Sequence, residues 1–176
     1  MTALIGKVLV AGAMLAVAAL ARAETTGSIE TPSIDMPGYL RVATAAAAHR
    51  ERHRVTEQEF ARLARLPDTV ILDARSREKY DLLHIAGAIN LSFPDIAIAT
   101  LRQRIPARST RILIYCNNNF DGAPDAFPTK LPTASLNLST FIALYTYGYQ
   151  NVWELAGPPI DPARSLLVFE RTRGVP

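Results

Sequence analysis

The single cysteine of the sequence, Cys116, is the first candidate for chemistry. It directly follows the apolar run 111–115, which has the length and composition of a buried β-strand. In open α/β sheets ligands bind outside the carboxyl ends of the strands, and a thiol placed there is available for chemistry. The alternative is a small buried hydrophobic residue, the commoner fate of a free cysteine. The polar loop that follows Cys116 favours a functional thiol, because functional residues collect on such loops.

That loop is long and rich in residues that break regular structure. Between 117 and 132 it contains three prolines, several Asn and Gly residues and no sustained hydrophobic period. Loops of this length inside a compact domain are usually kept for function. We therefore expect the segment 117–132 to border whatever site Cys116 belongs to.

The elements that must position this thiol alternate between strand and helix along the chain. Short apolar runs predict strands, and amphipathic or helix-favouring segments predict helices between them. This alternation is typical of an α/β domain with an open parallel sheet covered on both faces. The predicted strands are 69–72, a short strand within 83–91, 112–115 and 151–155, and the predicted helices are 39–54, 55–66, one from Ser76, 94–105 and 133–147.

The N-terminus predicts export. Lys7 precedes an uncharged apolar stretch from Val8 to Ala21, and the sequence Ala21-Arg22-Ala23 has the small-x-small form of a signal peptidase site. Fourteen apolar residues are short for a membrane span of about 20, so we prefer a cleaved signal peptide over residues 1–23 to an uncleaved anchor. Cleavage near Ala23/Glu24 predicts a periplasmic or secreted protein without stable membrane association, and no cysteine near the cut allows lipidation.

Composition limits the remaining classes of function. Removal of residues 1–23 leaves 153 residues with 17 basic and 16 acidic side chains, a net charge of +1, which gives no support for nucleic-acid binding. One cysteine allows no internal disulfide.

His49 and His53 lie four apart on a predicted helix, but without a third ligand a solvated pair is favoured over a metal site. No phosphate-binding loop motif is present, and we expect no metal and no cofactor.

Five segments in order and spacing resemble the rhodanese homology domain. The resemblance covers about Val55 to Leu155, and we place the domain at 55–157, preceded by an extended arm at 24–38 and a helix at 39–54 and followed by an irregular tail at 158–176. The matching segments are 70–75, the pair Glu78 and Tyr80, 84–90, 112–116 and 148–152.

This resemblance implies an α/β fold with an open, mainly parallel five-stranded sheet and helices on both faces. It also implies that Cys116 is a nucleophile that accepts a sulfane sulfur as a persulfide and passes it to an acceptor. The cysteine would sit in a cradle of backbone N–H groups at the start of the next helix, which favour an anionic sulfur. Asn and Gly tolerate the left-handed angles that turn amides inward. The cradle residues are Asn117, Asn118, Asn119, Phe120, Asp121 and Gly122.

The remaining matched residues have supporting roles by the same resemblance. Asp73 and Arg75 brace the active loop and the sheet edge, and His84 is a packed, hydrogen-bonded residue rather than a general base. In many active members of the family a compact loop starts at the cysteine and ends in a basic residue. In this sequence Asp121 occupies the corresponding position, and its carboxylate repels thiosulfate. The first basic residue after the cysteine is Lys130, a possible substrate-binding group if the loop curls back.

Two functions remain from this reasoning. The first is a periplasmic sulfurtransferase or persulfide carrier acting through Cys116, with a small sulfur-containing donor and an acceptor or protein partner. The second is a non-catalytic binding or regulatory module that uses the loop 117–132 on the same scaffold. A cysteine-dependent phosphatase or arsenate reductase would need an arginine at the end of a short anion loop, and the sequence has none there.

Overall fold

The computed structural model of this chain describes residues 31–172. A compact unit extends from Asp35 onward, and of the unit before it only the stretch 31–34 is described. The predicted signal peptide, and the arm up to residue 30, lie outside the described residues. None of the helices among residues 31–172 has the length and apolar character needed to cross a membrane.

The described chain contains an open sheet of five parallel strands, which confirms the predicted fold class. The strands are β1 (Arg54–Val55), β2 (Thr69–Asp73), β4 (Ile89–Asn90), β5 (Arg111–Tyr115) and β6 (Val152–Leu155); β3 (His84–Ile85) and β7 (Phe169–Glu170) form a separate antiparallel pair. The order in the five-stranded sheet is β1-β6-β5-β2-β4, so β5, the strand that ends at the cysteine, lies in the middle.

Helices and loops cover both faces of the sheet because alternate residues of each central strand point to opposite sides. Ile112 and Ile114 belong to one buried cluster, whereas Leu113 and Tyr115 belong to the other. The helices are α1 (Met36–Arg50), α2 (Glu57–Leu63), α3 (Arg77–Leu82), α4 (Ile98–Arg104) and α5 (Leu136–Thr146). The first cluster takes side chains from α1, α4 and α5, and the second from α2, α3 and the loop after the cysteine.

Local capping residues fix where several helices begin. Asp35 accepts a hydrogen bond from the Gly38 N–H at 2.8 Å and starts α1, and Thr56 accepts one from the Glu59 N–H at 3.3 Å and starts α2. Ser76 starts α3 in the same way. The helix expected at 94–105 is instead a 3₁₀ turn at Phe93–Asp95 followed by α4.

The C-terminal segment differs from the irregular tail expected at 158–176. Residues Phe169–Glu170 form β7 and pair with β3, and Ile160 pairs with Phe120 beside the cysteine loop. The N–H of Asp121 donates to the carbonyl oxygen of Ile160, and the N–H of Ile160 donates to that of Asn119. Such short pairings carry too little hydrophobic pattern to be recognised in the sequence. The chain after the sheet therefore helps to fix the loop at the site.

Candidate functional site around Cys116

Cys116 lies at the carboxyl end of the central strand β5, where the sequence predicted it. The residue is 1 % exposed. Its sulfur is 3.3 Å from the side-chain oxygen of Ser135, and this hydroxyl is the hydrogen-bond partner of the sulfur among the described residues. Among the described residues the thiol thus has one hydrogen-bond partner, which lies three residues beyond the end of the long loop.

Ser135 is the residue that immediately precedes α5. The chain reaches it through the 3₁₀ turn Pro132–Ala134, and the serine hydroxyl makes no capping bond to the first turn of α5. The hydroxyl therefore lies beside Cys116 instead of capping the helix. The amino end of α5 carries the positive end of the helix dipole, which stabilises negative charge nearby. Despite the length of the loop, the sulfur lies close to the start of the following helix, as the family resemblance implies.

The cradle of loop amides expected around the sulfur has a different geometry. Residues Asn117–Asn119 form a right-handed 3₁₀ turn, and within this loop the left-handed region is used by Gly122, at φ +76°. Three N–H groups of the predicted cradle donate elsewhere: Asn119 to the Cys116 carbonyl, Phe120 to the Asn117 carbonyl and Asp121 to Ile160. These three amides are not available to the sulfur, whose hydrogen bond among the described residues is with the Ser135 hydroxyl.

The three asparagine side chains fasten the loop to its surroundings. Asn117 donates to the carbonyl of Pro128 at 2.9 Å, and Asn119 donates to that of Leu155 at 2.8 Å. Asn118 donates to the carbonyl of Lys130 at 2.7 Å and accepts from its N–H at 3.2 Å. Phe120 is buried against Phe127 and Phe169. The asparagine side chains thus hold the loop in place by hydrogen bonds, and Phe120 belongs to the hydrophobic core.

A cavity of about 520 Å³ opens beside Cys116 and Ser135. Its walls come from the cysteine loop, the amino end of α5, the end of β6 and the region of α1 and β1. The charged residues that line it are Arg50, Arg54, Asp121, Lys130 and Glu154. Lys130 therefore shares the cavity with the thiol, as a curled loop allows, and so does the opposing carboxylate Asp121.

The charges around the cavity are unevenly paired. Arg50 holds the buried Glu154 through two hydrogen bonds, one from Nη2 to Oε1 at 2.8 Å and one from Nε to Oε2. The hydrogen bond to Glu154 raises the pKa of Arg50, so this guanidinium keeps its charge. Arg54 lies 3.7 Å from the carboxylate of Glu51. Lys130 takes part in no ion pair within residues 31–172, which leaves its ammonium group available to an anionic ligand.

Asp73 and Arg75 form a buried ion pair beneath the loop. The Arg75 guanidinium donates to the Asp73 carboxylate from Nη2 at 2.6 Å and from Nε at 3.0 Å. It also donates to the carbonyls of Ala126 and Leu83, at 2.8 and 2.7 Å, and it lies over the Phe127 ring at 4.2 Å. The pair thereby ties the end of β2 to the loop that follows the cysteine.

His84 is packed away from the cavity. Its ring stacks on Tyr80 with centroids 3.6 Å apart, its Nδ1 is 2.7 Å from the carbonyl of Tyr80, and its Nε2 is 3.3 Å from Glu170. It does not line the cavity beside Cys116. These contacts describe a residue that holds β3 against β7 and does not contact the sulfur.

His49 and His53 are half-buried and not solvated as expected. Their rings stack with centroids 4.0 Å apart, and they also contact Tyr145 and Trp153. His49 Nε2 is 2.8 Å from the carbonyl of Gln150 and His53 Nδ1 is 2.9 Å from that of His49. Burial lowers the pKa of His53. The pair packs the end of α1 onto the sheet.

The cavity residues that the sequence did not predict include Arg50, Ser135, Asn137 and Glu154. They come from α1, from the start of α5 and from β6, so no sequence spacing connects them with Cys116. One signal was available for Glu154, because a carboxylate between apolar neighbours of a predicted buried strand requires a partner. Ser135 looks like an ordinary helix cap, and only the structure shows that it contacts the thiol.

Comparison with known proteins gives one family. A model described as the rhodanese-like domain matches residues 56–157. No curated protein matches the chain. A solved rhodanese with anions from E. coli is 20% identical, with a TM-score of 0.40 over 58% of this chain and 98% of that one.

Two further solved structures are similar at comparable levels. A rhodanese-like domain from Anabaena sp. is 22% identical, with a TM-score of 0.42 over 60% of this chain and 69% of that one. A thiosulfate sulfurtransferase from Pseudomonas aeruginosa is 22% identical, with a TM-score of 0.42 over 66% of this chain and only 20% of that one.

Proposed function

Since this chain belongs to the rhodanese-like domain family, we propose that it is a sulfurtransferase or persulfide carrier whose sulfur-accepting nucleophile is Cys116. The observation that carries the proposal is the position of the Cys116 sulfur, 3.3 Å from the Ser135 hydroxyl at the amino end of α5 and on the wall of an open cavity. A hydroxyl donor and a helix amino end both favour an anionic sulfur over a neutral one.

The proposed chemistry is a two-step transfer of one sulfur atom. The Cys116 thiolate attacks the sulfane sulfur of a donor, and the donor's sulfur–sulfur bond breaks. The electron pair of that bond goes to the leaving group, which is a thiolate from an organic persulfide, a sulfinate from a thiosulfonate and sulfite from thiosulfate. The terminal sulfur of the resulting Cys116 persulfide is then attacked by an acceptor thiolate or cyanide. This second attack releases the Cys116 thiolate, so no external oxidant or reductant is consumed.

The cavity supports a donor larger than an inorganic anion. A volume of about 520 Å³ falls within the range of pockets that enclose small organic molecules. Lys130 offers a cation at this cavity, while Asp121 opposes a compact dianion such as thiosulfate. We therefore propose an organic persulfide or thiosulfonate as donor and a thiol of similar size, or a protein thiol, as acceptor.

We place this activity outside the cytoplasm, in the periplasm or the secreted fraction, on the sequence of residues 1–23. In an oxidising compartment an accessible reactive thiol is converted to sulfenic acid or a mixed disulfide unless a donor or reductant reaches it. The burial of Cys116 slows such side reactions. Sequencing of the N-terminus of the exported protein tests this placement, and an intact residue 1 on the isolated protein would contradict it.

The test of the proposed activity is direct sulfur loading. Purified protein is incubated with thiosulfate or with an organic persulfide, and Cys116 is examined by mass spectrometry before and after addition of cyanide. We expect a mass gain of one sulfur on Cys116 with the organic persulfide, its loss as thiocyanate, and neither signal in Cys116→Ser. Absence of loading by both donors in the wild-type protein would refute the proposal.

A second candidate is a non-catalytic module that binds a partner through the loop 117–132. The burial of Cys116 and the fastening of the loop by Asn117, Asn118 and Asn119 favour it, because a rigid prearranged loop suits recognition. This function predicts that Cys116→Ser preserves the cellular phenotype and that deletion of residues 117–132 abolishes it. A phenotype that depends on the thiol would exclude it.

A further inference from the structure

A continuous set of hydrogen-bonded side chains, some buried and some half-buried, connects α1 with the backbone of the cysteine. At one end Arg50, on the last turn of α1, donates to both carboxylate oxygens of Glu154 on β6. At the other end the N–H of Cys116 donates to Asn119 Oδ1 at 2.8 Å. Asn137, in the first turn of α5 and 2 % exposed, lies between these ends.

Asn137 joins the two ends through a single nitrogen. Its Nδ2 donates to Glu154 Oε1 at 3.2 Å and to Asn119 Oδ1 at 3.1 Å. Asn119 is held from its other side as well, because its Nδ2 donates to the carbonyl of Leu155 at 2.8 Å. Arg50, Asn119, Asn137 and Glu154 all line the cavity beside Cys116. We call Arg50, Glu154, Asn137 and Asn119 the relay.

The direction of each bond in the relay is set by the carboxylate. An ionised carboxylate only accepts hydrogen bonds, so Asn137 must turn its NH₂ group toward Glu154. The same NH₂ group then meets Asn119, which must present its oxygen and not its nitrogen. That oxygen is the acceptor of the Cys116 N–H. A reversed amide anywhere in the relay would place two donors or two acceptors face to face in a buried site.

We propose that Glu154 is a positioning residue for Cys116, which it holds through Asn137 and Asn119, and that Arg50 keeps this carboxylate in place from α1. The consequence for sulfur transfer rests on the proposed function. This role explains why a helix outside the matched segment 56–157 reaches the cavity. Arg50, Asn137 and Glu154 contact no reacting atom and act through the backbone of the cysteine.

The experiment compares backbone hydrogen exchange at two residues of the full chain by NMR. One is Cys116, whose N–H is held by the relay, and the other is Leu113, inside β5, whose exchange follows global stability. In Asn137→Leu and Glu154→Gln we expect protection of the Cys116 amide to fall at least tenfold relative to that of Leu113. An unchanged ratio in both variants would overturn the proposal.

A matched pair of milder variants covers the case in which Asn137→Leu does not fold. Arg50→Met removes the Arg50–Glu154 pair, and Arg62→Met removes the exposed Arg62–Glu59 pair, which is also held by two hydrogen bonds. Only Arg50→Met should lower the ratio. Equal ratios in these two variants would also contradict the proposal.

A kinetic measurement separates the relay from the proposed function. We expect sulfur loading of Cys116 to slow at least fivefold in Glu154→Gln and to stay unchanged in Arg62→Met. A lower exchange ratio with unchanged loading would show that the relay has only a structural role. If the wild-type protein takes up no sulfur, the proposed function fails, and the alkylation rate of Cys116 by iodoacetamide replaces loading as the measure of positioning, with the same expected difference.

Discussion

Tyr115 donates its hydroxyl to Asp73 over 2.6 Å, and both residues are fully buried. The same hydroxyl accepts a hydrogen bond from the N–H of Ile85 at 3.2 Å, so the residue before the cysteine connects β5 with β2 and β3. Burial, and after it the charge of Asp73, raises the pKa of Tyr115 well above its usual value. Ionisation of Tyr115 would place a buried phenolate beside the buried carboxylate of Asp73, and the two negative charges would repel each other.

We expect Tyr115 to make the protein less stable at alkaline pH. Its pKa is higher in the folded chain than in the unfolded one, so the folded chain keeps a proton that the unfolded chain releases above about pH 10. The stabilisation is fully present below that pH and is lost as the pH rises toward the folded-state value. The free energy of unfolding in urea should therefore fall more steeply above about pH 10 in the wild type than in Tyr115→Phe.

The same variant has a second expected effect at neutral pH. Tyr115→Phe removes a buried donor from a carboxylate and should lower the free energy of unfolding by about 1–3 kcal/mol. The other tyrosines are present in both proteins, so the difference between the two pH profiles isolates Tyr115. Parallel profiles above pH 10 would contradict the assignment.

Replacement of Arg75 by Met should strongly destabilise the protein. The change leaves Asp73 as a buried charge without its ion-pair partner and removes the bonds to Ala126 and Leu83. Breaking a buried pair of this kind costs about 3–5 kcal/mol, measured by urea denaturation. Arg62→Met, in an exposed pair, is the control and should leave the unfolding midpoint nearly unchanged. Similar midpoints for the two variants would show that the pair beneath the loop is not structural.

Ser135→Ala should slow sulfur loading without unfolding the protein. A hydrogen bond to a charged group is worth about 1.5–3 kcal/mol, so loss of the hydroxyl should lower the loading rate about tenfold or more. Stability should change little, because the hydroxyl makes no capping bond to α5. Ser76→Ala removes a real cap of α3 and should show the opposite pattern, with stability lowered by about 1 kcal/mol and loading unchanged. Equal loading by Ser135→Ala and the wild type would remove Ser135 from the site.

Asp121 and Lys130 should have opposite effects on anionic donors. Asp121→Asn removes a repulsive charge from the cavity and should raise the rate of loading by thiosulfate, while Lys130→Ala should lower it. Both side chains are exposed, so we expect effects of about two- to fivefold at low ionic strength that shrink toward 1 M salt. Rates that do not respond to salt would mean that neither charge meets the donor.

The fold could be predicted because each strand and helix is indicated by residues close together in the sequence. Alternating apolar runs predicted the order of strands and helices, and the helices predicted at 55–66 and from Ser76 begin at the caps Thr56 and Ser76. The same local evidence placed Cys116 at the end of β5. The two-residue strands β3 and β7 are too short to show a period, and for that reason the tail was expected to be irregular.

The composition of the site could not be predicted, because its residues meet only after folding. Nothing in the loop sequence shows that Asn117 and Asn118 bond across it to Pro128 and Lys130, so an amide cradle was the reasonable expectation. Ser135 follows Cys116 by 19 residues, and Arg50 precedes it in another helix. Contacts of this kind follow from sheet order and helix placement, which the sequence indicates only in outline.

The bonds of Ile160 to the cysteine loop have a consequence for how the protein is divided. The segment shared with relatives stops at 157, three positions before the backbone that pairs with Phe120. A chain that ended at 157 would lack Ile160, the hydrogen-bond partner of the Asn119 carbonyl and of the Asp121 amide. It would also lack β7, the strand that pairs with β3. The segment that matches the family is therefore shorter than the segment that folds together with the cysteine loop.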